Sequence, residues 1–113
     1  MELNEYQKKA LETANYHQEG DSHYDDVSYC VHGLSGEAGE VANKMKKAHR
    51  DDRNVITKER ALSMALELGD VLWYVAVGAK ELGFSLEEIA QMNYDKLHSR
   101  QERGKLRGDG DYR

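Results

Sequence analysis

Ala61-Leu62-Ser63-Met64-Ala65-Leu66-Glu67-Leu68-Gly69-Asp70-Val71-Leu72-Trp73-Tyr74-Val75-Ala76-Val77-Gly78-Ala79 is the stretch on which the fold turns. It is too long for a strand and does not alternate, so it reads as a helix. Its only charges are Glu67 and Asp70. A helix that is apolar nearly all round is expected to be buried on most sides. Two carboxylates inside it are costly unless they are paired or bound to metal. Spaced i, i+3, they lie one turn apart on one face and point at the same thing. The stretch also has the look of a membrane span, but two central acids oppose that at about 3 kcal/mol each.

The flanking residues frame this helix. Thr57 is a good N-cap, which places the element at about Lys58 to Leu82, and Gly83 stops it. Ser85-Leu86-Glu87-Glu88 is a capping box that starts a further helix, running to roughly Arg100. The tail Gly104-Lys105-Leu106-Arg107-Gly108-Asp109-Gly110-Asp111 has no periodicity and reads as a loop, ordered or not.

Upstream lies a polar loop, Asp51-Asp52-Arg53-Asn54, and before it a helix from about Ser28 to Ala48, capped by Asp26 or Ser28. Val31, Leu34, Ala38, Val41 and Met45 share one face of that helix. Lys44, Lys46, Lys47 and Arg50 gather near its C-terminus, where cations suit the helix dipole. A first helix from about Leu3 to His17 ends in the turn-forming Gly20-Asp21-Ser22. With strand signals almost absent and no proline in 113 residues, the fold expected is all-α, an antiparallel four-helix bundle-like domain over residues 1–103 with a tail over 104–113. A lone domain of this size has a poor ratio of surface to volume. A second copy packed through the helices, as a homodimer or homotetramer, is therefore expected.

The net charge of −5 speaks against a nucleic acid polymer as partner. The basic residues nevertheless crowd one end: Arg100, Arg103, Lys105, Arg107 and Arg113. The single cysteine, Cys30, reads as a packed thiol and fits a reducing compartment. The opening Met1-Glu2-Leu3-Asn4-Glu5 lacks the basic start and apolar stretch of a signal peptide, so a cytoplasmic protein with no membrane partner is expected.

Glu37 and Glu40 form a second i, i+3 pair, at the edge of the apolar face on the earlier helix. If the two long helices pack antiparallel, both pairs converge in one cleft. Four converging carboxylates repel and hold protons unless a cation intervenes. Oxygen ligands with no His or Cys nearby favour Mg²⁺, with Mn²⁺ as a substitute, over Zn²⁺. The competing explanations are bland. An i, i+3 acidic pair is often a solvated face, and Lys44 or Lys47 would suffice as an ion-pair partner.

The run Gly33-Leu34-Ser35-Gly36-Glu37-Ala38-Gly39-Glu40-Val41, then Lys46-Lys47, then Glu67-Leu68-Gly69-Asp70-Val71-Leu72-Trp73-Tyr74, resembles the MazG-like nucleotide pyrophosphohydrolases. That family is marked by Glu-x-x-Glu on one helix and Glu-x-x-Asp on the next. Asn93-x-x-Lys96, with Arg100 beyond, resembles its third element. One departure is Gly36, where many members carry a further acid. The resemblance implies Mg²⁺-dependent hydrolysis of a (deoxy)nucleoside triphosphate to monophosphate and pyrophosphate, by water attack at the α-phosphate. On that basis Glu37, Glu40, Glu67 and Asp70 are the metal-binding and catalytic residues, with Glu37 the candidate proton acceptor. Lys47, Asn93, Lys96, Arg100 and Arg103 are substrate-binding candidates for the phosphates. Arg107 or Arg113 could join them if the tail folded over bound phosphates, although a frayed terminus is the simpler expectation. Trp73, Tyr74, Tyr6, Gln7 and His32 are conceivable base contacts, but aromatic residues at helical spacing more often belong to the core.

Within the same superfamily, a dUTP or dCTP pyrophosphatase and a phosphoribosyl-ATP pyrophosphohydrolase stay open as narrower activities. From another class, the rival is a non-catalytic helical module whose acids bind metal or bridge an interface. A di-iron protein is disfavoured because no His lies three residues after a Glu.

Overall fold

Four helices in sequence order, covering every long apolar segment, make up the computed structural model, which describes residues 1–113: α1 Leu3–Leu11, α2 His23–Asp51, α3 Lys58–Glu81 and α4 Leu86–Glu102. There are no strands. The chain is all-α, as expected. α2 and α3 form a long antiparallel hairpin, α1 and α4 pack on α3, and the α2 backbone approaches neither α1 nor α4 closely, although Cys30 shares the core with Ala10 and Leu86. The hairpin turn runs through Arg53 and Asn54, both in the left-handed region at φ 55° and 63°.

The local signals explain most boundaries. Thr57 caps α3 by accepting the Arg60 N–H. Gly83, at φ 84°, supplies the left-handed residue that reverses the chain after α3. Ser85 and Glu88 make a reciprocal capping box at α4. Two boundaries differ from the sequence expectation. α2 begins at His23 rather than near Ser28, because Ser22 and Asp25 form a second reciprocal capping box and Asp26 and Ser28 lie inside the helix. α1 ends at Leu11 rather than His17. The Ala10 carbonyl is taken by the Thr13 hydroxyl at 3.0 Å and the Trp73 indole N–H at 3.2 Å, which helps fix the chain as a turn there.

Gln7, expected as a conceivable base contact, is instead a buried staple. Its amide N–H₂ donates to the Ala76 and Phe84 carbonyls, and its carbonyl accepts the Leu86 N–H. One side chain thereby joins α1, α3 and the start of α4. The core beside it is small: Ala10, Cys30, Ala76, Val77 and Leu86. Cys30 is packed as expected, 2 % exposed, with its thiol pushed up by burial.

The burial expected for α3 is only half met. Ala76, Val77 and Ala79 are buried, but Leu62, Leu66 and Leu68 are 63 %, 65 % and 56 % exposed. By length and composition α3 could also cross a membrane, yet here it is the element on which the other three helices pack. Only 9 of 113 residues are buried. The radius of gyration is 17.1 Å, against roughly 13 Å for a compact chain of this length. The single chain is an open arrangement with an unpartnered apolar face.

Candidate active site

The antiparallel pairing of α2 and α3 brings the middle of each helix opposite the other. Glu37 comes from α2, and Glu67 and Asp70 from α3. Carboxylate oxygens of these three lie within 4.8 Å of one another. Glu37 and Glu67 are half-buried, while Asp70 is exposed. Glu40, the fourth acid of the sequence reading, is exposed and stands outside this trio. Its charge still reaches Glu37.

The electrostatics are those of an uncompensated cluster. The Glu37 carboxyl is pushed above its ordinary value by burial first, then by the charges of Asp70 and Glu67, with a hydrogen bond to Glu67 and the charge of Glu40 adding to the rise. The nearest cation is Lys44, whose Nζ is 3.9 Å from Glu67 Oε1. Lys44 is the cation offered by the ion-pair explanation, and at that separation it compensates one of three acids, loosely. The donor set is oxygen throughout, negatively charged and open on the Asp70 side. It fits a hard divalent cation such as Mg²⁺ or Mn²⁺, which could be held by Glu37, Glu67 and Asp70.

A glycine makes the helix pairing possible. A Cβ on Gly33 would fall inside the ring of Tyr74. The bare α2 backbone at Gly33 therefore lets Tyr74 lie against it, one turn before Glu37. Tyr29 and Glu37 both raise the Tyr74 phenol, after burial. Burial and then Asp70 raise the Tyr6 phenol. Tyr6 and Tyr74 pack against the core, and the Trp73 indole N–H is spent on the Ala10 carbonyl and the Thr13 hydroxyl. His32 is turned back onto the Ser28 carbonyl of its own helix.

The basic candidates divide. Lys47 is half-buried on α2, one turn beyond Lys44. Asn93 is exposed. Lys96, Arg100 and Arg103 all lie on α4, whose backbone does not approach α2 closely, and their partners lie in the tail or on α4 itself. Lys96 pairs with Asp111 at 3.2 Å. One Arg100 N–H₂ group donates to the Gly110 carbonyl, and one of Arg103 donates to the Arg113 carbonyl. Within one chain these cations are not joined to the acid trio. The tail, for which fraying was the simpler expectation, is folded back on α4. Arg113 holds it by donating to the carbonyls of Lys105, Leu106 and Gly110.

A second group of metal-ligating type, His17, Asp21 and Asp26, closes the loop between α1 and α2. Its members are already engaged: His17 Nδ1 meets Asp26 at 2.7 Å, and Asp21 accepts the Gln18 N–H at 2.9 Å.

Comparison with known proteins identifies the family. Residues 26–104, well over half of the chain, match the family model described as the MazG nucleotide pyrophosphohydrolase domain. The chain is similar to the Gene 37 protein of Mycobacterium phage L5, at 46% identity over 114 residues covering 100% of both chains. No solved structure matches the chain.

Proposed function

The chain belongs to the MazG nucleotide pyrophosphohydrolase family, and from that premise we propose that it cleaves a (deoxy)nucleoside triphosphate to monophosphate and pyrophosphate with Mg²⁺. The observation carrying this reading is the Glu37–Glu67–Asp70 trio: three acids on two packed helices, with one loose cation beside them.

Glu37, Glu67 and Asp70 would hold the metal, and Glu40 would join them by a change of rotamer on α2. The ion would supply charge for the phosphates and an acidified water, with Mn²⁺ able to take its place. What the chain itself does is hold four oxygen donors on rigid helices and accept a proton. Glu37 is the proposed acceptor, because it is the half-buried carboxylate that α2 sets opposite both Glu67 and Asp70. Lys47, Asn93, Lys96, Arg100 and Arg103 are the proposed phosphate contacts.

Because Lys96, Arg100 and Arg103 engage the tail rather than the acid trio within one chain, these α4 contacts fit best in an assembly. The exposed Leu62, Leu66 and Leu68 of α3 give a second copy an apolar face to cover. A cytoplasmic homodimer or homotetramer is the form we propose. Sedimentation of the purified protein should give a species of at least twice 12.9 kDa.

The direct test is a nucleotide panel with Mg²⁺. Pyrophosphate should appear from at least one substrate and orthophosphate from none. Selective cleavage of dUTP, dCTP or phosphoribosyl-ATP would narrow the assignment. Metal binding with no cleavage of any nucleotide would leave the non-catalytic module as the correct reading.

A further inference from the structure

The C-terminal residues form a closed structure on cations to which the proposed function gives another task. Lys96 Nζ lies 3.2 Å from Asp111 Oδ1, and an Arg100 N–H₂ group lies 3.5 Å from the same oxygen. That group also donates to the Gly110 carbonyl at 3.1 Å. Arg103 donates to the Arg113 carbonyl at 2.6 Å. One carboxylate and two carbonyls thus sit where three cations converge.

The fit is incomplete. Arg100 is 4 % exposed, yet its Nε has no hydrogen-bond partner. A guanidinium is a fork that matches a carboxylate or phosphate through two parallel N–H groups. Asp111 engages it from one side at long range, so a buried donor is left over. An oxyanion with more oxygens than a carboxylate would satisfy it.

The tail is also weakly held. Beyond these polar contacts it has no apolar anchor: Leu106 is 48 % exposed and Tyr112 fully exposed. Asp111 itself is open to solvent, and such ion pairs are individually weak and screened by salt. Gly104, Gly108 and Gly110, at φ 66°, 128° and 83°, give the backbone the left-handed turns that fold it back.

We propose that residues 104–113 are a displaceable strap in which the Asp111 carboxylate stands in for a phosphate on Lys96 and Arg100, so that the polyphosphate of the substrate must expel it to bind. The proposal rests on the reading of Lys96 and Arg100 as phosphate-binding groups. It makes the strap self-inhibitory, lowering the fraction of molecules competent to bind anion.

The test uses the full chain, inorganic pyrophosphate without added metal, and calorimetry. Asp111→Asn should bind pyrophosphate about three- to tenfold more tightly than the wild type, since apparent affinity scales with the competent fraction. Lys96→Ala should lose that binding. Pyrophosphate should also speed amide exchange across residues 104–112 of the wild type. Unchanged or weaker binding by Asp111→Asn, unaltered binding by Lys96→Ala, or an unaltered tail exchange pattern would each overturn the strap. Turnover separates this failure from that of the proposed function. A chain that cleaves no nucleotide but tightens on pyrophosphate in Asp111→Asn keeps the strap and loses the activity. A chain that cleaves nucleotide with the same KM in both forms keeps the activity and loses the strap.

Discussion

The two charged ends of the molecule solve the same electrostatic problem in opposite ways. On α2 and α3, three acids crowd within 4.8 Å with Lys44 at 3.9 Å as their nearest cation. On α4, three cations gather and the chain covers them with its own Asp111 and tail carbonyls. The acid end is incomplete and gains by taking in a cation. The basic end is provisionally complete and must give something up to take in an anion. A metal should therefore stabilise the protein, whereas an anionic ligand has to compete with the chain.

The largest effect expected is on turnover. Glu67→Gln and Asp70→Asn should each lower kcat by about a hundredfold or more, since positioned acid–base and metal-holding groups contribute on that scale. If either variant kept full activity, the acid end would not be the reacting centre.

Next is stability of the helix pair. Gly33→Ala drives a methyl into the Tyr74 ring, and it should cost about 1–3 kcal/mol of unfolding free energy in denaturant titration, as overpacking does. Gly36→Ala, where a Cβ meets open space, should leave stability equal or higher. Equal gains at the two glycines would show that helix propensity, not the Tyr74 contact, governs α2.

A smaller effect sharpens the sign of the acid end. Glu37 is raised in the folded state by burial, Asp70 and Glu67, so the fold binds its proton more tightly than the unfolded chain does. Its contribution is present below the ordinary carboxylate value and is lost as pH rises through the raised folded value. In metal-free buffer the melting temperature should drop across that window. Mg²⁺ should abolish the drop and raise the melting temperature, and Glu37→Gln should remove the pH dependence. Asp25 has the opposite sign. The Ser22 N–H and hydroxyl hold its carboxyl below the ordinary value, so its contribution is present above that value and fades as pH falls through the depressed one. Asp25→Asn should flatten this acid-side slope, the smallest effect of the set.

The sequence was most legible where one residue type does one job. Thr57, Gly83 and the Ser85–Glu88 box mark the ends of α3 and the start of α4 because capping is local chemistry. The start of α2 is less legible although Ser22-x-x-Asp25 carries the same signal, because Gly20-Asp21-Ser22 looks like the end of a break rather than the start of a helix. The end of α1 depends on Trp73, distant in sequence, which no local reading can supply. The acid pairs were visible as spacing, and antiparallel pairing does bring three of the four together. Glu40 stands apart and exposed, although it lies the same i, i+3 step from Glu37 as Asp70 does from Glu67. The face of α3 that carries Leu62, Leu66 and Leu68 is exposed because α1, α2 and α4 leave it uncovered in the single chain. The folded tail was hidden for another reason: glycine and charge give no periodicity, and its contacts run to backbone carbonyls that every sequence possesses.

The central claim is that the acid end directs water to the α-phosphorus of a nucleoside triphosphate. It is tested most directly by running the Mg²⁺-dependent reaction in heavy-oxygen water and weighing the products by mass spectrometry. The heavy atom should appear in the nucleoside monophosphate, with unlabelled pyrophosphate beside it. Label in pyrophosphate or orthophosphate, or the same product without Mg²⁺, would contradict the account.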